Sequence, residues 1–217
     1  MRNVFAAMFL AAVLLSGCGT PPLQGKVTSF HVLDATPKTF IILPDTDQKD
    51  SLEFRSYAAL VRDQLRSRGW REATSDSAEV GVFVQYQISQ GRQVAFSYPI
   101  FGQVPTGSST TSGTVNTYGS TSTFNATTTR QTTAAVVGTG VGSRTEFDRA
   151  LRLVMYSLPT YRSTQKMDRV YEGEIRSSGS TGDLPTVMPV LVRGLLEDFP
   201  GRSGVARSVA VPFPPRQ

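Results

Sequence analysis

The chain offers one thiol and one imidazole: Cys18 and His31 stand alone among 217 residues. A lone cysteine excludes an intramolecular disulfide and a thiolate metal cluster. A lone histidine excludes a poly-histidine metal site and leaves at most one imidazole for acid–base work. A triad through His31 needs a serine and a carboxylate in contact with it. No Gly-x-Ser-x-Gly elbow occurs, and His31 reads as a strand residue at a sheet edge. Glu172 and Glu174 fall on one face of a strand, as a general acid–base pair would. Two like charges at that spacing also mark a solvated face, which is the reading taken. Asp45, Asp47, Asp50 and Glu53 hint at a calcium loop, yet Lys49 stands where a ligand belongs and the central glycine is missing. They read as a helix cap and a solvated loop. Gly138, Gly140 and Gly142 are spaced wrongly for a dinucleotide fingerprint and read as loop punctuation. The expectation is a non-enzymatic protein with no cofactor and no metal site. The alternatives are a hydrolase using His31 or the Glu172/Glu174 pair, and a structural spacer without a specific ligand.

Cys18 has a context that gives it chemistry. Arg2 supplies a positive start, and Val4 to Leu15 is almost purely apolar. That run is shorter than the ~20 residues a spanning helix needs and fits the core of a secretory signal. Leu15-Ser16-Gly17-Cys18 resembles the lipobox of bacterial lipoproteins. The resemblance implies cleavage between Gly17 and Cys18, a diacylglycerol on the Cys18 thiol and an acyl chain on its new amino group. Residues 1–17 are then a signal peptide and 18–25 a lipidated tether, stiffened by Pro21 and Pro22. Two or more chains give stable anchoring where one is marginal. In the enterobacterial sorting that this signal resembles, aspartate after the cysteine favours inner-membrane retention, so the resemblance implies that Gly19 directs the protein to the outer membrane, with the domain in the periplasm.

The elements that must position these residues follow from periodicity. Lys26 to Leu33 reads as a strand with Phe30 and Val32 on one face and Val27, Ser29, His31 and Leu33 on the other. Thr39 to Leu43 reads as a buried strand. Phe54, Tyr57, Ala58, Val61 and Leu65 recur at helical spacing between Asp50 and Arg68. Asp50 with Glu53 suggests the cap, and Gly69 the left-handed stop. Trp70 is expected to pack back on the sheet. Glu79 to Ser89 alternates as a strand, and Gln93 to Phe101 is expected to pair with it across Gln90-Gly91. Phe147 to Leu158 and Asp168 to Ser177 read as a strand pair. A last helix is expected from Thr186 to Phe199, capped by Thr186 with Pro189 in its first turn.

Residues 106–145 differ in kind. Ser, Thr and Gly fill 26 of the 40 positions, and the only charges are Arg130 and Arg144. Such a segment builds little core; a flexible loop and a Thr-rich β-arm both fit it. The chain carries 22 Lys and Arg against 17 Asp and Glu, a net charge of +5. The basic residues read first as dispersed solvated charges; the alternative is a surface for anionic lipid headgroups, at about 1 kcal/mol per basic residue near the bilayer, whereas an envelope location makes nucleic acid an unsuitable partner.

The order of these segments resembles the bacterial lipoproteins built on domain of unknown function 4136. The stretches that carry the resemblance are Phe40 to Pro44, Phe54 to Tyr57, Leu65 through Trp70, Val80 to Ile88, Tyr171 to Gly173 and Leu191 to Phe199. It implies a periplasmic α/β lipoprotein domain over residues 26–217 and brings no catalytic residues. The expected fold is an α+β two-layer sandwich: a mixed, mainly antiparallel sheet with two helices on one face and an extended insert. The expected partners are the membrane, through the lipid, and an envelope protein or lipid component.

Overall fold

The computed structural model describes residues 21–34 and 36–214. The elements run β1 (Leu23–His31), β2 (Thr39–Leu43), α1 (Leu52–Arg66), β3 (Arg71–Glu72), β4 (Val80–Ile88), β5 (Arg92–Tyr118), β6 (Thr121–Ser157), α2 (Leu158–Thr164), β7 (Arg169–Gly179), α3 (Leu184–Leu196) and β8 (Arg207–Val211). They form an eight-stranded mixed sheet in the order β3-β2-β4-β6-β7-β1-β8, with β5 pairing β6. Only the β2 pairings with β3 and β4 are parallel; β4–β6, β6–β7, β7–β1 and β1–β8 are antiparallel. The fold class is therefore α+β with a mixed, mainly antiparallel sheet.

The chain divides into two compact units, the residues up to Arg92 with those from Glu146, and Gln93–Thr145. The first unit holds the core. α1 contributes Phe54, Tyr57, Ala58, Val61 and Leu65, the spacing expected of one buried helical face. α3 contributes a wider stripe that includes Val187, Met188, Leu191 and Leu195. Both close over inward residues of the strands, among them Phe40, Val82, Leu151, Leu153 and Ile175. Gly69 ends α1 at φ +83°, a value glycine adopts without penalty, and Trp70 N–H donates to the Leu65 carbonyl at 3.2 Å. Trp70 is buried between Phe40 and Phe199.

Several local expectations are corrected. Ser51, not Asp50, caps α1: its Oγ accepts from Phe54 N–H at 3.1 Å, and Glu53 instead accepts from the Tyr57 hydroxyl at 3.0 Å. α3 starts earlier than Thr186. Its N-cap is Asp183, Pro185 occupies the first turn, and Pro189 lies inside the helix. Leu158 does not end a strand but starts α2, capped by Ser157. β5 pairs with β6 and not with β4, so no hairpin forms across Gln90-Gly91.

The second unit is a hairpin of β5 and β6. Its turn is Gly119-Ser120, with Gly119 at φ +63°. Thr supplies β-branching and a hydroxyl at once, and both are used. Thr111 and Thr128 hydroxyls meet at 2.9 Å, Thr117 and Ser122 at 3.0 Å, and Thr106 Oγ1 donates to the Gln131 carbonyl at 3.1 Å. Of the loop and the arm, the chain forms the arm.

Candidate functional site

Strand alternation places one set of side chains on the helices and the other set on an open sheet face. The open face carries Lys26, Thr28 and Phe30 of β1, Phe83, Gln85 and Gln87 of β4, Arg152, Val154 and Tyr156 of β6, and Glu172, Glu174 and Arg176 of β7. The register fixes these neighbours: Thr28 lies opposite Glu174, Phe30 opposite Glu172, Arg152 opposite both Gln85 and Glu174. At one end Leu158 of α2 and Leu43 of β2 both lie over Gly81. Further along, among the described residues, Val154 is buried, while Phe30 is 59% and neighbouring Val32 82% exposed.

The two glutamates lie on this wet face and serve different arginines. Glu172 bridges Arg152 and Arg169, the latter at 2.5 Å, and Glu174 pairs with Arg176 at 2.8 Å. The Glu174 carboxylate raises the Arg176 pKa by accepting its hydrogen bonds. A pair poised for acid–base work would hold one carboxyl protonated in a drier setting; here each carboxylate meets guanidinium. The Arg169 guanidinium also lies 5.7 Å from the centre of the Tyr156 ring, which meets Phe83 edge-on.

His31 is not at a sheet edge in the sense expected. β1 lies between β7 and β8, but its pairing with β8 stops at Val27, so His31 faces the loop before β8. Its backbone N–H donates to Ser203 Oγ at 3.0 Å. Its ring nitrogens face the Leu33 and Gly201 carbonyls at 3.2 and 3.1 Å. Both partners are hydrogen-bond acceptors, so neither ring nitrogen meets a hydroxyl that it could deprotonate.

The acids near residue 50 are dispersed in their uses. Asp45 caps the short 3-10 turn Thr46–Gln48, and Glu53 accepts from Tyr57. Burial, and after it Glu53, pushes the Tyr57 hydroxyl pKa up. Among the described residues no group of three His, Cys, Asp or Glu could hold a metal ion. Gly138, Gly140 and Gly142 belong to β6, not to a loop. The Tyr98 ring lies over Gly140 and the Phe96 ring over Gly142, in space a Cβ would occupy.

One further residue of chemical interest is Arg149, marked in the sequence by its strand phase alone. Arg149 is in phase with Leu151, Leu153 and Met155, and therefore points to the helix-covered side. It is 5% exposed, and its Nε has no hydrogen-bond partner. Its other contacts, to the Thr181 carbonyl and Ser177 Oγ, both measure 3.5 Å. An arginine in the apolar phase of a strand was the legible sign.

Cys18 and Gly17, the expected lipidation and cleavage residues, lie outside the described residues. Among those described, no helix is long and apolar enough to cross a membrane.

No curated protein matches the chain. Among solved structures it is similar to a PDZ domain protein from Parabacteroides distasonis ATCC 8503, solved at 2.50 Å resolution, at 11% identity and a TM-score of 0.43. That match covers 87% of this chain and 39% of the other, so the chain spans about two fifths of its length. A model of the domain of unknown function DUF4136 matches residues 28–201, which run from within β1 through β7 and hold all three helices. The chain therefore belongs to the DUF4136 family.

Proposed function

We propose that this chain is a lipid-anchored bacterial envelope protein that binds or assembles with another envelope component and performs no chemistry of its own. Cys18 is the anchor, the outer membrane is its site, and the domain faces the periplasm. The observation that carries the reading is the β-arm. Residues 93–145 form a two-stranded hairpin that contributes no residue to the hydrophobic core. Among the described residues β5 pairs only with β6, so the hairpin offers strand edges that are not used within it. Unpaired edges are templates for adding a strand from a partner. Arg130 and Arg144 are its only charges, and of the other guards against edge pairing it carries Pro99 and Pro105 in the base half of β5, so the distal part from Thr106 to Arg130 is the least guarded. The surroundings of His31, Glu172 and Glu174 support the non-enzymatic half of the reading. Crosslinking in intact envelopes, repeated after deletion of the arm, tests it. The expected result is loss of the crosslinked species, and an unchanged set of species removes the arm from the account.

A further inference from the structure

Burying a guanidinium without a partner is costly, because neither hydration nor an opposite charge compensates it. Arg149 comes close to such a group, having only weak neutral contacts. It lies on the core side of β6, with one nitrogen unpaired and two contacts at the outer limit of hydrogen bonding. Among the described residues no carboxylate forms an ion pair with it. The adjacent Asp148 is engaged elsewhere: it accepts from Ser178 Oγ at 2.5 Å and lies 3.7 Å from Arg92. Burial lowers the Arg149 pKa, in keeping with a charge that is poorly solvated.

Arg149 lines a cleft of about 280 Å³ at the start of β1, bounded by Pro21, Pro22, Ser180, Thr181 and Phe213. Gly179 completes it. A Cβ there would collide with an Arg149 terminal nitrogen, so the glycine leaves room for the guanidinium. The cleft thus joins the Arg149 guanidinium, whose terminal nitrogens have only 3.5 Å contacts, to the hydroxyl residues Ser178, Ser180 and Thr181 within an apolar rim; of these Ser178 already donates to Asp148, which leaves Ser180 and Thr181. That combination matches a phosphate oxyanion, which takes paired N–H donors from arginine and further donors from hydroxyls.

We infer that the Arg149 cleft is a binding site for a phosphate group. Two sources offer that chemistry, a lipid headgroup and a free phosphate. The lipid source rests on the anchoring of Cys18. Pro21 is three residues beyond Cys18, at most about 10 Å of extended chain, so an anchored domain would hold the cleft near the headgroups. The phosphate site itself does not depend on the anchor.

The test uses the chain from Gly19 to Gln217, which contains every described residue and carries no lipid. Thermal unfolding is followed with increasing inorganic phosphate at constant ionic strength. Vesicles of phosphatidylcholine alone, or with phosphatidylglycerol, are compared by flotation. A ligand that binds only the folded state raises the unfolding temperature. Wild type is expected to gain stability with phosphate, or to float with the anionic vesicles and not with the neutral ones. The first result assigns a free phosphate and the second a headgroup. Arg149→Met should abolish the response and unfold at a higher temperature than wild type without ligand, because an uncompensated buried charge is gone. Arg149→Lys keeps a cation without the fork and should bind at least tenfold more weakly; it serves if the methionine variant does not fold. No response of wild type to either probe overturns the inference, as does an equal response of the variants. Failure of palmitate labelling at Cys18 would remove only the lipid source.

Discussion

At the scale of single residues, most polar side chains of the first unit have an identifiable local duty, and Glu79 shows how such a duty is felt in stability. Its carboxylate accepts from Thr39 N–H at 2.8 Å and from Thr39 Oγ1 at 2.9 Å, pinning the start of β4 to the start of β2. The backbone bond from Thr39 is the main reason that its pKa lies below the ordinary 4.5. A carboxylate with a depressed folded-state pKa stabilises fully above its unfolded value and loses that contribution as pH falls through the folded value. Unfolding measured from pH 7 down to pH 3 should show wild type losing more stability than Glu79→Gln over the acid limb. Parallel curves for the two would contradict this assignment. His31 and the glutamate pair were found in the sequence by residue type, but what surrounds them was not legible there. The partners of Glu172 come from β6 and from three residues upstream, and those of His31 include a carbonyl 170 residues away. Residue type is local, whereas the partner that decides chemistry is set by the register.

At the scale of elements, α1, β4 and the β6–β7 pair were legible because each buries one face and therefore repeats its apolar residues at one period. The ends were less so. Asp50 and Ser51 are both good caps by type, and only the chain's approach decides between them. Sequence alone puts Pro189 in the first turn of α3, because proline is rare elsewhere in helices. The helix instead starts at Leu184 and carries Pro189 in its interior. There it withholds the N–H that the Pro185 carbonyl would accept. Proline in a helix interior costs about 3 kcal/mol relative to alanine, offset by up to about 1 kcal/mol through the unfolded chain. Pro189→Ala should therefore stabilise the domain by about 2–3 kcal/mol in urea unfolding. A loss of stability would show instead that the ring's packing outweighs the missing bond. The arm was ambiguous for a related reason. Thr and Gly at such density carry neither a 3.6- nor a 2-residue apolar period. What orders it is cross-strand pairing of hydroxyls, and of aromatic rings with glycines, which only the register brings together.

At the scale of the whole molecule, the account joins an anchor, a core and an arm. The core is complete without the arm, since residues 93–145 supply none of its buried cluster. β5 and β6 pair, and the Arg92 and Glu146 side chains lie 3.6 Å apart at the base of the arm, so an Asn-Gly turn is the joint chosen to replace it. The anchor is argued from the first eighteen residues. Cys18→Ser should leave the precursor uncleaved and unlabelled by radioactive palmitate, whereas wild type is labelled and sediments with membranes. Equal labelling of the two would remove Cys18 from its role. The central claim, that the arm is the contact surface of an anchored binding protein, is tested most directly by crosslinking in intact envelopes. Wild type is compared with the chain in which Asn-Gly replaces residues 93–145. The account predicts that the shortened chain keeps a cooperative unfolding transition and its membrane attachment but loses the crosslinked species. The same species captured by both chains would contradict it.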